Sequence, residues 1–217
     1  TCALSNVGVL RCWGYLNQDM SNVIYGDDAG ETKPPVILLN HAGNDPGPPL
    51  SIYMGGALFS LCAKYNGASL FKCWGDNDNG RLGTNTNTRY IELPGDDVRL
   101  LYSVGVRVER LHFGGNICAE SSSGELFCWG SGMSGINGNN RTENIGDDMA
   151  DSIGFISLGG SVSDVSVGSF NACAIVKGDV RCWGGNKFYQ LGISTISIDE
   201  VIGDEPGEMP PAPVQLW

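Results

Sequence analysis

The stretch FKCWGDNDNGRLG, residues 71–83, places a cysteine beside a tryptophan and continues into a run of aspartates, asparagines and glycines. Its Cys-Trp-Gly core occurs four times in the 217 residues, with tryptophans spaced 61, 55 and 54 residues apart. These tryptophans are Trp13, Trp74, Trp129 and Trp183. Self-similarity at a period of this length indicates a repeat architecture. The stretch is therefore interpreted as one copy of a repeated unit.

Each copy contains two cysteines with a glycine between them. The copies are CALSNVGVLRCWG from Cys2, CAKYNGASLFKCWG from Cys62, CAESSSGELFCWG from Cys118 and CAIVKGDVRCWG from Cys173. Two short apolar runs separated by a glycine turn predict a pair of antiparallel strands. We therefore expect β-hairpins near residues 2–14, 62–75, 118–130 and 173–184.

The two cysteines of a hairpin can face each other across the strands. We favour four disulfides, one in each repeat: Cys2 with Cys12, Cys62 with Cys73, Cys118 with Cys128, and Cys173 with Cys182. A zinc site is disfavoured because the closely spaced Cys/His ligand pairs of such sites are missing, which leaves buried free thiols as the other alternative. Because disulfides persist in oxidising compartments, the pattern predicts a secreted or cell-surface protein.

Further strands are predicted before each of the last three hairpins. Alternating apolar and polar residues at 50–55, 108–114 and 162–168 indicate strands with one buried face. Short apolar segments at 36–39, 98–101, 155–158 and 214–217 predict an additional strand that opens each repeat. Four short strands in about 54 residues predict an all-β fold, a β-propeller-like array of four-stranded antiparallel blades. A solenoid is the alternative, although its repeats are usually shorter, and residues 1–217 are read as a single repeat domain.

The loop after the hairpin carries a family resemblance. The sequences Asn79-Gly80-Arg81-Leu82-Gly83 and Tyr189-Gln190-Leu191-Gly192 resemble the repeat of the regulator of chromosome condensation family, and are most similar to its cysteine-bearing secreted branch in bacterial and algal surface proteins. The first and third copies depart from the Gly-x-Leu-Gly ending, with Tyr15-Leu16-Asn17 and Gly132-Met133-Ser134-Gly135 in its place. The resemblance implies a seven-bladed propeller, so we expect this chain to be a segment of a larger propeller and of a larger protein.

The charge balance excludes one class of partner. Lys and Arg number 13 against 24 Asp and Glu, which gives a net charge of −11. A nucleic-acid binder needs a basic footprint to neutralise phosphates, so neither DNA nor RNA is expected as a partner. The chain also lacks an apolar run of about 20 residues, so no membrane span is predicted.

Several acidic loops raise the question of calcium. The segment Asp76-Asn77-Asp78-Asn79-Gly80 resembles the start of a calcium-binding loop, but its twelfth position is Asn87 instead of a carboxylate. Gly146-Asp147-Asp148 and Gly203-Asp204-Glu205 lie in similar loops. Turn formation explains this composition without an ion, so we predict no metal site and no cofactor.

Neither the tryptophans nor the histidines predict a reactive site. The recurrence of the four tryptophans beside the cysteines favours packing between blades over an aromatic ligand platform. His41 and His112 lack a recognisable set of catalytic partners, so no catalytic residue and no enzymatic activity are predicted. An enzyme with an undetected site is kept as a further alternative.

These observations predict an extracellular structural or interaction module of a cell-surface glycoprotein or filament, of mastigoneme-like type. Its expected partners are proteins, either other copies of itself or other surface proteins, together with glycans. The sequon Asn140-Arg141-Thr142 predicts N-glycosylation at Asn140. The alternative function is a soluble secreted propeller that binds a protein partner, as an inhibitor or an exchange-factor-like module.

Overall fold

The fold is almost entirely β-structure. The computed structural model describes residues 2–6, 9–12, 14–15, 24–25, 36–37, 47–55, 60–66, 70–194 and 197–215. Trp13, His41 and the last two residues of the predicted strand at 214–217 lie outside the described residues. Two short 3-10 helices, Asp78–Gly80 and Arg99–Tyr102, accompany the strands, and no helix among the described residues is long and apolar enough to cross a bilayer.

The strands form four successive groups, which we call blades 1 to 4. Blade 1 contains β1 Cys2–Leu4, β2 Leu10–Cys12, β3 Gly14–Tyr15, β4 Ile24–Tyr25 and β5 Val36–Ile37. Blade 2 contains β6 Ser51–Gly55, β7 Ser60–Lys64, β8 Phe71–Asp76 and β9 Tyr90–Asp97. Blade 3 contains β10 Val108–Phe113, β11 Ile117–Ser121 and β12 Leu126–Trp129. Blade 4 contains β13 Val162–Val167, β14 Asn171–Val176, β15 Asp179–Gly185 and β16 Val201–Ile202.

All strand pairings are antiparallel, and neighbouring strands in space follow one another along the chain in blades 2 to 4. The four-stranded sheets of blades 2 and 4 have the orders β6-β7-β8-β9 and β13-β14-β15-β16. The period-two segments became the first strands β6, β10 and β13, and the cysteine-bearing segments became the central hairpins. The predicted all-β array of antiparallel blades is therefore confirmed.

The additional strand was assigned to the wrong end of the repeat. It does not open a blade, because its backbone pairs with the strand that precedes it. Leu10 of β2 pairs with Ile37 of β5, Ile156 N donates to Leu126 O at 2.7 Å, and Val214 N donates to Val180 O at 2.8 Å. In blade 2 the strand ends at Asp97, and the predicted segment 98–101 instead enters the second 3-10 helix. This additional strand is therefore the outermost strand of the blade whose hairpin precedes it, and we call it the outer edge.

The outer edge is also divided in two in blades 3 and 4. In blade 3, Ile145 bridges Gly130 at one end of β12, while Ile156 bonds Leu126 at the other end. Blade 4 repeats this arrangement with β16 at one end of β15 and the bridge from Pro213 to Arg181 at the other. In blade 2 both halves join into the single strand β9, with a register shift between Cys73 and Gly75. Each half is therefore too short to show the alternation of apolar and polar residues by which a strand is recognised in a sequence.

Two clusters of buried apolar side chains hold the blades together. The first joins blades 1, 2 and 3 and includes Leu10, Leu61 and Trp129. The second joins blades 3 and 4 and includes Ile136, Trp183 and Leu191. Burying side chains between successive sheets is what allows short sheets, each too small to fold alone, to form a stable array.

Candidate functional site

The four hairpins are each closed by a disulfide. The structure joins the four pairs favoured from the sequence, and the chain contains no free cysteine. The paired cysteines stand directly opposite each other in the strand register, with Cα atoms 4.0 Å apart in blade 1 and 4.1 Å apart in the other three. A disulfide in this position locks the register of the two central strands, because a one-residue slip would turn the sulfurs to opposite faces.

The tryptophans beside the disulfides connect one blade to the previous one. Trp129 is fully buried, and its indole Nε1 donates a hydrogen bond to the Arg81 carbonyl of blade 2 at 2.9 Å. Trp183 is also fully buried, and its Nε1 donates to the Ile136 carbonyl of blade 3 at 2.9 Å. Trp74 is 7% exposed. The three described tryptophans are therefore in the packed interior, where no ligand could stack on them.

The tryptophan contacts identify the equivalent turn in the third blade. A Cβ atom added to Gly83 would lie 2.7 Å from Trp129 Nε1, and one added to Gly138 would lie 3.2 Å from Trp183 Nε1. The backbone of Gly83 bonds Gly80 O, and that of Gly138 bonds Gly135 O in the same way. The counterpart of the Gly-x-Leu-Gly turn is thus residues 135–138, and not residues 132–135 as the sequence comparison suggested.

The stretch that resembled a calcium loop uses its groups internally. The Asp76 carboxylate is 5% exposed and receives a hydrogen bond from Arg81 Nη1 at 2.9 Å. Burial raises the pKa of the Asp76 carboxyl, and the Arg81 guanidinium acts against this rise. Asn77 holds the rest of the turn, since its Oδ1 accepts from Leu82 N and its Nδ2 donates to the Thr86 and Thr88 carbonyls. These contacts are those of a structural turn.

Two of the acidic loops wrap around a carboxylate from their own chain. Asp151 Oδ2 accepts hydrogen bonds from the backbone N–H groups of residues 146, 147 and 148, at 2.7, 3.1 and 3.0 Å. Glu208 Oε2 accepts from residues 203, 204 and 205 in the same manner, at 2.7, 3.1 and 2.9 Å. Such consecutive N–H groups form an anion-binding concavity, and here it is already filled. Within the described ranges, no group of three or more His, Cys, Asp or Glu is placed to hold a metal ion.

An ion pair between a buried lysine and a partly exposed glutamate forms a second type of contact at the joint between blades 2 and 3. Lys64 of β7 is 8% exposed, and its Nζ donates to both the carbonyl and the Oε2 of Glu109 on β10, at 2.8 and 2.9 Å. The Lys64 hydrogen bond lowers the pKa of the Glu109 carboxyl. Tyr53 adds a hydrogen bond from its hydroxyl to the same carbonyl at 3.2 Å. Sequence reasoning missed this pair, because 45 residues separate its members.

His112, which the sequence left without partners, takes part in a charge cluster inside blade 3. Its Nε2 lies 3.0 Å from Glu120 Oε2, and Arg110 Nη2 donates to Glu120 Oε1 at 2.8 Å. Glu120 is 5% exposed, so the two basic side chains satisfy a carboxylate that water cannot reach freely. Arg110 and His112 are two residues apart in β10, so their side chains lie on the same face of the strand. This spacing was the only sign of the cluster in the sequence.

The sequon asparagine lies at the edge of a cavity. Asn140 is half-buried, has a left-handed backbone with φ of 58°, and its Oδ1 atom is buried without a hydrogen-bond partner. The following residues Arg141 and Thr142 are exposed. Glycosylation at Asn140 stays a prediction.

Exposed apolar side chains gather at the end of blades 3 and 4 that carries the loops after the cysteine hairpins. Met133 is 84% exposed and Phe188 is 78% exposed, and Phe170 and Tyr189 are also exposed. The three loops are in contact: Gly185 N donates to Phe170 O at 2.8 Å, and a Cβ at Gly185 would lie 3.9 Å from Ser134 Cβ. We call Met133, Phe170, Phe188 and Tyr189 the apolar patch. Grouped exposed apolar residues are typical of protein-binding surfaces.

Comparison with solved structures gives the fold a name. The chain matches yeast RCC1 (Prp20), in its structure bound to Kap60, with a TM-score of 0.64 and 16% identity over 99% of this chain and 46% of that one. Human WBSCR16 matches with a TM-score of 0.62 and 17% identity over 92% of this chain and 48% of that one. Prp20p from Saccharomyces cerevisiae matches with a TM-score of 0.60 and 16% identity over 88% and 43%.

These likenesses show that the chain has the RCC1-like β-propeller fold, and the predicted repeat type is confirmed. The chain spans about half the length of the RCC1 and WBSCR16 chains that it matches, so its four blades correspond to part of their propellers. No family model matches the sequence, and no curated protein matches it.

Proposed function

We propose that this chain is a non-enzymatic extracellular interaction module, a structural part of a cell-surface glycoprotein or filament of mastigoneme-like type. Its partners are other copies of itself or other surface proteins. The four disulfides carry the proposal of location, because every cysteine of the chain is committed to a bond that reducing compartments do not maintain. The buried tryptophans and internally satisfied acidic loops support a role that depends on shape and surface.

The apolar patch is the surface that supports protein contact. Aromatic and methionine side chains are enriched in protein interfaces, and charged residues are depleted at the centre of such interfaces. Yeast Prp20, which has the same fold, was crystallised with Kap60 and characterised for binding to Gsp1p and histones. A propeller of this kind therefore offers a stable frame from which loops can bind proteins.

The location is tested on the native protein. Cells or their secreted material are treated with an alkylating reagent without reductant, and the tryptic peptides are measured by mass spectrometry. We expect all eight cysteines to escape alkylation. Three disulfides should be recovered as linked peptide pairs, and Cys118–Cys128 as an internal disulfide of one tryptic peptide, because no Lys or Arg lies between these two cysteines. Alkylation of the hairpin cysteines in material that was not treated with reductant would contradict an oxidising compartment.

The interaction surface is tested by replacing aromatic residues. Sedimentation equilibrium over a concentration series is compared for the natural chain, for the double variant Phe170→Ser with Phe188→Ser, and for the control Phe155→Ser. Phe155 is 70% exposed and lies near Leu126, at the opposite end of β12 from the patch loops, so it matches the chemistry and exposure of each single replacement in the double variant. We expect self-association that the double variant weakens by about tenfold or more and the control leaves unchanged.

The second candidate function is a soluble secreted propeller that binds a different protein. The same patch supports it, since its chemistry does not distinguish a copy of the chain from another partner. A photo-crosslinking residue at position 188, compared with one at position 155, separates the two candidates on native material. Crosslinks between copies support the structural module, and crosslinks to one different protein support the soluble binder.

A further inference from the structure

The turn after the hairpin of blade 2 holds a tryptophan side chain of the next blade. The turn ends at Gly83, and the Arg81 carbonyl two residues earlier accepts a hydrogen bond from Trp129 Nε1 at 2.9 Å. A Cβ atom added to Gly83 would lie 2.7 Å from the same Nε1 and 3.0 Å from Val98 Cγ1. The indole thus lies among a bare glycine, a branched apolar side chain and a carbonyl acceptor, which together we call the indole socket.

The turn of blade 3 has a socket with the same three parts. Trp183 Nε1 donates to the Ile136 carbonyl at 2.9 Å, and a Cβ atom added to Gly138 would lie 2.9 Å from Ile156 Cγ2. Gly83 and Gly138 are both buried. Because two turns hold the same chemical group with the same three parts, these parts are sufficient to define a tryptophan site.

Blade 4 has a third socket at the turn of residues 189–192, and its glycine is exposed. Gly192 has a φ of 65°, against 67° and 60° for its counterparts in blades 2 and 3, so the turn has the same backbone conformation. A Cβ atom added to Gly192 would lie 3.0 Å from Val214 Cγ1. Among the residues that the structure describes, none donates a hydrogen bond to the Gln190 carbonyl. The glycine, the apolar side chain and the acceptor are therefore in place and accessible.

Tyr189 determines what can reach this third socket. Its counterparts in blades 2 and 3 are glycines against which the backbone of the next blade packs. A Cβ atom added to Gly80 would lie 2.3 Å from the carbonyl carbon of Gly146, and one added to Gly135 would lie 2.9 Å from Ile202 O. Tyr189 has the same left-handed backbone, with φ of 57°, and is 63% exposed. A further blade packed as blades 3 and 4 are would clash with the Tyr189 side chain, whereas a single side chain can still reach the socket.

We propose that the turn of residues 189–192 binds a tryptophan side chain of a partner protein. The indole N–H donates to the Gln190 carbonyl, and the ring lies on Gly192 against Val214. Tryptophan is enriched among the residues that dominate the binding energy of protein interfaces, and its N–H supplies the donor that a phenyl ring lacks. The site goes beyond the proposed function, because it requires neither self-association nor an extracellular location.

A titration with N-acetyl-tryptophan amide, followed by the amide chemical shifts of residues 1–217, tests the site. We expect the largest shifts at Gly192 and its neighbours in sequence, with a Kd of about 1 mM for this single side chain. Gly192→Ala places a methyl group where the ring lies and should weaken binding by roughly tenfold or more. Gly105→Ala is the matched control, with φ of 69° and no atom within 4 Å of the added Cβ, and should bind as the natural chain does.

The natural chain supplies a second test that needs no substitution. The probe methylated on the indole nitrogen has no N–H, so we expect it to bind roughly three- to tenfold more weakly, and N-acetyl-phenylalanine amide should also bind more weakly. Equal affinity for either of these probes overturns the assignment to tryptophan. Absence of shifts at Gly192 with about 10 mM tryptophan amide overturns the site, as does equal binding by Gly192→Ala and Gly105→Ala.

The native protein distinguishes a partner from another part of the same polypeptide. A photoreactive analogue of N-acetyl-tryptophan amide should label the tryptic peptide that follows Lys187, which contains the whole turn. Labelling of this peptide in both the native protein and the chain of residues 1–217 supports a site for a partner. Labelling in the shorter chain alone would show that the turn is covered in the native protein, and it would overturn the proposal.

Discussion

Gly83 has no room for a side chain, because the Trp129 indole of the following blade packs against the position that a Cβ atom would occupy. We expect Gly83→Ala to destabilise the chain by about 2–4 kcal/mol, since a methyl group would lie 2.7 Å from Trp129 Nε1 and the backbone φ of 67° adds strain. Urea denaturation measures the loss. Gly105→Ala is the matched control, with φ of 69° and no atom within 4 Å of the added Cβ, and should cost about 1 kcal/mol. Equal losses in both variants would contradict a steric role for the indole.

The indole N–H of Trp129 is a separate contribution from its packing. Trp129→Phe leaves the Arg81 carbonyl without its donor in a buried place, and we expect a loss of about 1–3 kcal/mol in the free energy of unfolding. Trp183→Phe removes the corresponding bond to Ile136 and should cost a similar amount. Natural stability in both variants would show that neither the indole N–H nor the larger ring of the tryptophan contributes to stability.

Disulfides act on the pair of strands that they join. We expect the double variant Cys118→Ala with Cys128→Ala to lose roughly 2.5–3 kcal/mol, because the closed loop restricts the unfolded chain. The Cys173–Cys182 disulfide closes a loop of nearly the same length, so the matching double variant should lose nearly the same stability. Urea denaturation without reductant, compared with the natural chain, measures both losses. Identical denaturation midpoints for the natural chain with and without reductant would rule out this stabilising role.

The contact between β7 and β10 should depend on pH. The Lys64 hydrogen bond lowers the pKa of Glu109 in the folded chain below its value in the unfolded chain. The stabilisation is therefore present above about pH 4.5, and it is lost as the pH falls through the folded pKa. Glu109→Gln removes this dependence, so its urea midpoint should fall less between pH 7 and about pH 3.

A control substitution at another carboxylate distinguishes the effect of the Lys64–Glu109 pair from general acid denaturation. Glu143 is exposed and makes no ion pair with any described residue, so Glu143→Gln should follow the pH profile of the natural chain. Parallel profiles for Glu109→Gln and the natural chain would show that the Lys64–Glu109 pair does not respond to protonation.

The blades should unfold locally and not all at once. Leu82 and Leu191 occupy the same position of the turn in blades 2 and 4 and are both fully buried, but they belong to different apolar clusters. Because each blade packs only on its neighbours, we expect Leu191→Ala to raise amide hydrogen exchange in β14 and β15 more than in β7 and β8. Leu82→Ala should show the reverse, with a loss of about 2–5 kcal/mol in each case. A uniform rise along the chain would indicate one cooperative unit.

The cysteine and tryptophan recurrence made the central hairpins predictable, because each copy repeats the same strand, turn and strand at nearly the same spacing. The outer edge was assigned to the wrong end of the repeat, since segments such as 155–158 contact β12 through a single backbone hydrogen bond and show no strand alternation. The Asp76–Arg81 pair lies within one loop and could have been read from spacing. Lys64–Glu109 and the apolar patch depend on how blades meet, which local periodicity does not encode.

The divided outer edge gives this frame a use as a display scaffold. In blade 2 the two halves are continuous, whereas residues 146–155 separate them in blade 3 without changing the bonds at either end of β12. The same frame thus accepts either the four residues 92–95 or a longer excursion between the two halves. A foreign peptide inserted after Gly95 should be carried on the rim while the hairpins keep their register, so epitopes could be grafted there at little cost to folding.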